Sequence, residues 1–301
     1  MRVDAKSQRK AELHCHIDGL LDPAMLDELA RGGDPLAIDP AALAAHHPVR
    51  SVEQWLHGYG SLVDPATHPR DRWLPRMLEL HLARLRAQHV VYTEILVSSL
   101  LFVRSDEAAL VDLFAELSAR ARAAAGPALR VELVICIGRG PPEKLARQVP
   151  RITALRRAGL IRGVALAGLE AEYPVRPLRP FLDAFRDLGL GIEIHAGELA
   201  GVDSVKDALR HGDPDRLGHA IAAFSDEAVV AEIAERGDSH RVLSVEQPRA
   251  RRGSPDRRPP DRPCPRAGAV VQHQHRRSGA VRMLDDLGVR AGGRHVRIRR
   301  V

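Results

Sequence analysis

Lys10-Ala11-Glu12-Leu13-His14-Cys15-His16-Ile17-Asp18-Gly19 sets two histidines one residue apart inside an apolar run. In an extended strand, residues i and i+2 share a face, so His14 and His16 can aim both imidazoles at one point. Alone, such a pair is equally compatible with two structural histidines. Two later segments add weight: Ile194-His195-Ala196-Gly197-Glu198 and Arg216-Leu217-Gly218-His219-Ala220. Each places a histidine at the C-terminal end of a short apolar run.

Further runs of the same kind lie between them. Strand character is read over 12–17, 90–97, 129–137, 162–169, 191–195 and 216–219. Their continuous apolar content suits parallel strands buried on both faces. Amphipathic helical segments alternate with them. Asp22-Pro23 offers a cap with Pro at the first helical position, followed by Met25, Leu26 and Leu29. Ser105 is read as the cap of a run carrying Leu110, Phe114 and Leu117, which ends near Gly126. Pro180 opens a run stopped by Gly189, and Ser225-Asp226-Glu227 opens another that ends at Gly237. Repeated βα units predict an α/β fold, a (β/α) barrel or a doubly wound sheet. No G-x-G-x-x-G follows the first strand, which removes the main support for dinucleotide binding. Gly138-Arg139-Gly140-Pro141-Pro142 has turn composition and lacks the Lys-Ser/Thr of a phosphate loop.

The pattern fails after Gly237. From Asp238 to Val301 there are 16 arginines against 6 acidic residues, six prolines, no lysine and no Phe, Tyr or Trp. The formal charge of +6 therefore resides in this tail, and the preceding body is mildly acidic. The composition cannot bury much apolar surface and predicts a disordered or poorly packed segment. A basic tail can be a nucleic-acid arm. The lack of helical periodicity and stacking aromatics argues against that here. The chain is thus divided into a barrel over 1–237 and an irregular Arg/Pro-rich tail over 238–301.

No apolar run approaches the roughly 20 residues of a membrane helix, and Met1–Lys10 has no apolar signal core. The expectation is a cytoplasmic protein without a membrane partner. Cys15, Cys136 and Cys264 form no C-x-x-C pair, so neither a disulfide framework nor a thiolate zinc motif is present.

In a parallel barrel the strand C-terminal ends share the face where active sites form. His14, His16 and Asp18 on the first strand, His195 and Glu198 on the fifth and His219 on the sixth would converge there. Three neutral imidazoles suit Zn²⁺, which makes hydroxide available near neutral pH. Glu198 lies beyond its strand end, where it could move a proton without binding metal. Among the other histidines, His46, His47, His57, His68, His81, His89 and His211 are read as surface or helix residues. Glu94, inside a strand, is read as a structural hydrogen-bonding group or as outer support of the site.

These segments, in this order, resemble the three signature segments of the adenosine deaminase family, and the similarity spans about residues 10–237. The resemblance implies a zinc-dependent (β/α)₈ TIM-type barrel that replaces the 6-amino group of a purine by a carbonyl. It implies one Zn²⁺ per chain held by His14, His16 and His195. Glu198 would protonate the purine ring at N1, and His219 would orient or deprotonate the attacking water. Asp18 would meet a ribose hydroxyl, and the backbone at Gly168 would approach N3. Such an acid needs a raised pKa, which a dry pocket supplies. Val52-Glu53-Gln54-Trp55-Leu56-His57-Gly58-Tyr59 resembles the helical lid over the nucleoside, with ordinary helix packing as the alternative. The H-x-E and P-C-x-x-C pattern of the cytidine-type deaminases is absent. Asp18, where adenine- and aminofutalosine-type relatives carry Glu, leans toward adenosine. Departures occur in Ala165-Leu166-Ala167-Gly168-Leu169-Glu170, in Glu94-Ile95 and at Leu20. The expected partner is a small purine nucleoside. Adenine- or aminofutalosine-type deamination, another amidohydrolase activity and a non-catalytic purine-binding relic are the alternatives.

The family needs two more strands, one with a Cys-Pro-Ser-Ser-Asn-like segment and one with Asn-Thr-Asp-Asp-Pro, whose first Asp completes the metal shell. Neither occurs here, and Asp285-Asp286 lacks the flanking residues. The incomplete barrel therefore has about six βα units. GC-rich back-translation supplies a reason. Leu243–Arg249 can be encoded as CTG TCC GTC GAG CAA CCT CGC. Read one nucleotide later, this gives Cys-Pro-Ser-Ser-Asn-Leu. Val271–Ala280 can likewise yield Ser-Ser-Ile-Asn-Thr-Asp-Asp-Pro-Ala. Both segments arise in order and in one shifted frame, which points to a frameshift near codon 237.

Overall fold

The computed structural model describes residues 9–20, 23–32, 70–99 and 106–238, and the backbone of 243–244, 270–271, 286–291 and 294–299. Six parallel strands are hydrogen-bonded in chain order: β1 (Lys10–His16), β2 (Val90–Ser98), β3 (Arg130–Gly138), β4 (Gly163–Ala167), β5 (Gly191–Ala196) and β6 (Arg216–His219). Each expected strand is found within a few residues of its place. The helices are α1 (Pro23–Arg31), α2 (Arg70–Ala87), α3 (Glu107–Ala125), α4 (Pro142–Ala146), α5 (Val149–Arg157), α6 (Arg179–Asp187), α7 (Val202–Asp207) and α8 (Glu227–Asp238). Outside the sheet, α2 packs on α3, α3 on α5 and α5 on α6. Their apolar stripes, such as Leu110, Phe114 and Leu117 of α3, are buried against the outer faces of the strands.

The sheet curls until its first and sixth strands approach. His14 of β1 and His219 of β6 have ring centroids 4.9 Å apart, and His14 and His195 of β5 are 4.6 Å apart. Six strands thus form a nearly closed barrel, with the side chains of β1, β5 and β6 meeting inside it.

Local chemistry refines several boundaries. The cap of α3 is Asp106, whose carboxylate accepts from the Ala109 amide. Gly126 ends α3 at φ 58°, as its position predicts. Asp226 caps α8, accepting from Ala228 and Val229, and Gly237 lies inside that helix instead of ending it. Helix α2, with Pro75 in its interior, has no counterpart among the sequence-based helices.

After α8 the described backbone forms β7 (Leu243–Ser244), β8 (Val270–Val271), β9 (Asp286–Ala291) and β10 (Arg294–Arg299) in a separate antiparallel sheet of order β7-β8-β10-β9. These short strands are what is described of the tail expected to be irregular. The stretch 52–59, Cys264, His46, His47, His57, His68 and Asp285 lie outside the described residues. No helix among the described residues is long and apolar enough to cross a membrane.

Candidate metal and catalytic site

Three strand ends build the site. β1 delivers His14 and His16, β5 delivers His195, and His219 closes β6. Ligand nitrogens of His14, His16 and His195 all lie within 4.8 Å of one another. The Nε2 atoms of His14 and His16 are 3.2 Å apart. Two imidazole nitrogens about 2.0–2.1 Å from one tetrahedral ion would sit about 3.3–3.4 Å apart. The spacing therefore fits a shared cation.

The protonation pattern agrees. His14 Nδ1 donates to the Glu193 carboxylate; when Nε2 gives up its proton to an ion, Nδ1 remains the donor and Nε2 presents the lone pair. His195 Nε2 is buried with no hydrogen-bond partner among the described residues. An orphaned buried nitrogen is costly unless something else satisfies it, and a metal ion would. Burial, then the neighbouring His14, pushes the His16 imidazole down to about 4. The same causes push His219 down to about 3, and burial drives His195 well down. All three are neutral at pH 7, the form that coordinates metal. The donor set thus fits Zn²⁺ on three of its four positions.

Glu193 and its partners hold the first ligand in place. Burial alone would raise the Glu193 carboxyl, but Arg216 and His14 overturn that and hold it at about 2. Arg216 Nε donates to Glu193 at 2.7 Å, and the guanidinium also reaches Glu94, which accepts from the Tyr92 hydroxyl at 2.7 Å. A relay Tyr92–Glu94–Arg216–Glu193–His14 therefore runs across four strands. Glu94 is outer support of the site, acting through Arg216. Two carboxylates share one guanidinium, so the relay carries a net negative charge beside the histidines and favours a cation there.

His219 sits in the left-handed region, φ 62°, and Ala220 follows at 48°. Few non-glycine residues adopt this conformation. Here it turns the imidazole back, with Nε2 3.1 Å from His195 Nδ1 and 3.3 Å from the Glu198 carboxylate. Gly218 beneath it leaves little room for a side chain. A Cβ there would lie 3.0 Å from His14 Cε1 and 3.0 Å from His195 Cδ2.

Glu198 lies past β5 on a loop fixed by another carboxylate. The buried Glu170 accepts from the backbone amides of Gly197 (2.7 Å), Glu198 (3.1 Å) and Leu199 (3.2 Å), and from the Ser204 hydroxyl. Buried Arg139 adds a bond to the His195 carbonyl at 2.6 Å. Gly168, at the end of β4 with φ 107°, brings its backbone close to Arg139. Asp18 lies on the turn Ile17–Leu20 just past β1.

The structure thus brings together His14, His16, His195, Glu198 and His219, with Asp18 and Gly168 on neighbouring strand ends. Glu193, Arg216, Glu170 and Arg139 were not singled out from sequence. Glu193 did leave a signal: a charged residue two positions before His195 in an apolar strand shares its face and must be paired.

Comparison with known proteins agrees with this geometry. The family described as adenosine deaminase matches residues 9–242. An adenine deaminase of Sinorhizobium fredii is 34% identical over 235 residues, covering 76% of this chain and 70% of the relative. An aminodeoxyfutalosine deaminase of Streptomyces avermitilis is 32% identical over 240 residues, covering 77% of this chain and 64% of the relative. Among solved structures, adenine deaminase from Arthrobacter aurescens superposes with a TM-score of 0.65 at 22% identity, covering 77% of this chain and 70% of that one. An amidohydrolase from Burkhoderia ambifaria, solved with bound Zn, gives 0.65 at 24% identity, covering 79% and 67%. At these identities the two structures establish the shared fold.

Proposed function

We propose, from the premise that this chain belongs to the adenosine deaminase family, that its site is built to hydrolyse the amino group from C6 of a purine, releasing ammonia. The observation that carries this reading is the convergence of three metal-competent histidines with Glu198 and His219 at one barrel mouth. His14, His16 and His195 would hold the ion. A Zn²⁺ bound there lowers the pKa of water toward 7, so that hydroxide is available.

The other steps belong to the chain. His219, neutral at pH 7, accepts the proton of the attacking water. As the C6–O bond forms, negative charge builds on the ring, and Glu198 delivers a proton to the ring nitrogen beside C6. The 3.3 Å spacing of His219 and Glu198 lets the two share protons through the cycle. The amino group takes the proton held by His219 and leaves as ammonia, and the remaining hydroxyl proton returns to Glu198 as the carbonyl forms. Asp18 and the Gly168 backbone position the purine. Asp18 favours a nucleoside, adenosine, through a ribose hydroxyl. The names of the relatives favour the free base, adenine, as the second reading.

We propose also that the residues after about 237 are translated one nucleotide out of frame. In support, the backbone of Leu243–Ser244 lies against β6, where a seventh barrel strand belongs, yet pairs with β8 of the other sheet. In the shifted frame this is where Cys-Pro-Ser-Ser-Asn begins. The 301-residue chain is then poorly active and a frame-corrected one is active. The coding DNA and the two proteins' deamination of adenosine and adenine, followed by absorbance, test both ideas. A shifted frame lacking the two segments refutes the frame proposal. A frame-corrected, zinc-loaded protein inert toward both purines, or one unaffected by Glu198→Ala, refutes the deaminase proposal.

A further inference from the structure

On the opposite face of β1 lies a second group of metal-competent side chains. Along β1, Glu12 pairs with Thr93 and Cys15 with Ile95, so three steps on β1 oppose two on β2. The extra residue is a β-bulge. Strict alternation would send Glu12 and Cys15 to opposite faces. The bulge lets both reach His81 of α2. His81 Nε2 is 3.4 Å from Cys15 Sγ and 3.3 Å from Glu12 Oε2, and ligand atoms of the three all lie within 4.8 Å of one another.

We propose that Glu12, Cys15 and His81 form a second divalent-metal site, distinct from the histidine cluster. Three observations carry it. First, one imidazole nitrogen is shared between a thiol and a carboxylate, so three different metal-donor groups converge on one point. Second, the distances match a coordination shell. With metal bonds of about 2.0–2.1 Å to nitrogen, 2.0–2.2 Å to oxygen and 2.3 Å to sulfur, tetrahedral edges are about 3.3–3.5 Å for N···O and 3.5–3.6 Å for N···S. Third, the site has an anchored and an open side. Cys15 is buried and the His81 side chain is 11% exposed, but that of Glu12 is 36% exposed, which leaves access for the ion and a water as fourth ligand.

Thiolate, imidazole and carboxylate together select a borderline cation, Zn²⁺ above Mg²⁺ or Ca²⁺. The ion would tie α2 to β1 across 66 residues of chain, directly behind the strand that carries His14 and His16. Its role is structural, and it does not depend on the deaminase reading.

The test is spectroscopic and uses the full chain, stripped with chelator and titrated with Co²⁺ under reducing conditions. The histidine cluster contains no sulfur, so a thiolate-to-cobalt charge-transfer band in the near ultraviolet that depends on His81 reports the second site. The expected result is a second equivalent of Co²⁺ that brings this band. His81→Asn should remove the band and that equivalent while keeping the visible cobalt bands of the histidine site. Cys264→Ser should leave the charge-transfer band unchanged. Should His81→Asn not fold, Glu12→Gln serves instead, and it should weaken the second equivalent at least tenfold. No charge-transfer band in the unaltered protein, a band that survives His81→Asn, a second equivalent bound as tightly in Glu12→Gln as in the unaltered protein, or a band lost in Cys264→Ser would overturn the proposal.

Discussion

Replacing Arg216 by leucine should be among the most damaging single changes in the barrel interior. Its side chain is 12% exposed and bridges Glu193, 2% exposed, and Glu94, 16% exposed. Without the guanidinium, Glu193 keeps only His14 and Glu94 only Tyr92 among the partners described above. Removing one member of a buried ion pair typically costs about 3–5 kcal/mol, because the remaining charge stays buried. For a protein of this size, each kcal/mol lowers Tm by about 2–4 °C, so Arg216→Leu should lose about 6–20 °C. Urea unfolding followed by circular dichroism measures the free energy directly. The sign with pH is also fixed. Glu193 is held at about 2, below its ordinary value, so its contribution is present above about 4.5 and is lost as pH falls through 2. In the variant the carboxyl rises and takes up a proton earlier, so the gap between the two proteins should narrow from pH 7 to pH 4. Adding Glu193→Gln and Glu94→Gln to Arg216→Leu should recover at least half of the loss. A destabilisation below about 1 kcal/mol at pH 7, or no recovery in the triple variant, would refute the reasoning.

Glu170→Gln keeps one acceptor oxygen but turns an amide toward donors that now meet a carboxylate, costing about 2–3 kcal/mol. Hydrogen exchange should show protection lost at Gly197, Glu198 and Leu199 before the rest of β5. Gly218→Ala should push the His14 and His195 rings apart and weaken zinc binding about 10-fold or more, read by competition with a chromogenic chelator; unchanged affinity would mean that the histidine rings yield freely. Without metal, His16 and His219 are held below their unfolded value of about 6.5, so the unfolded chain binds more protons between there and about 4. Stability of the chelator-treated protein should therefore fall as pH drops from 6.5 to 4, and a flat profile would contradict the burial of these rings.

The barrel strands are legible in the sequence for a physical reason. Parallel strands buried on both faces are continuous apolar runs, and β2 and β3, nine residues each, stand out as such. The metal-competent histidines are equally legible, because each sits at the end of such a run. What was hidden depends on partners remote in sequence. Helix α2 carries many arginines and an internal proline, and its identity as a helix comes from burying Trp73, Leu74, Met77 and Leu78 against the sheet. Ser105 and Asp106 are both acceptable caps, and only the backbone conformation chooses Asp106. Glu170 could be read as one more polar loop residue. Its meaning appears only when the loop after β5 folds back over it.

The site draws its groups from β1, β5 and β6, the two ends of the hydrogen-bonded sheet. Between β1 and β6 there is no backbone pairing among the described residues. Their approach rests on the curl of the sheet and on contacts across the gap, such as His14 with Glu193 and the packing of His14 and His195 over Gly218. An ion shared by His14, His16 and His195 would bind only when these ends are close, so its affinity would add directly to the stability of the closed form. Conversely, anything that leaves the barrel open lowers metal affinity by the cost of bringing β1 back to β5 and β6. A chain that lacks its last two barrel strands would be weakened twice, in the missing fourth ligand and in the looser closure of the three it keeps.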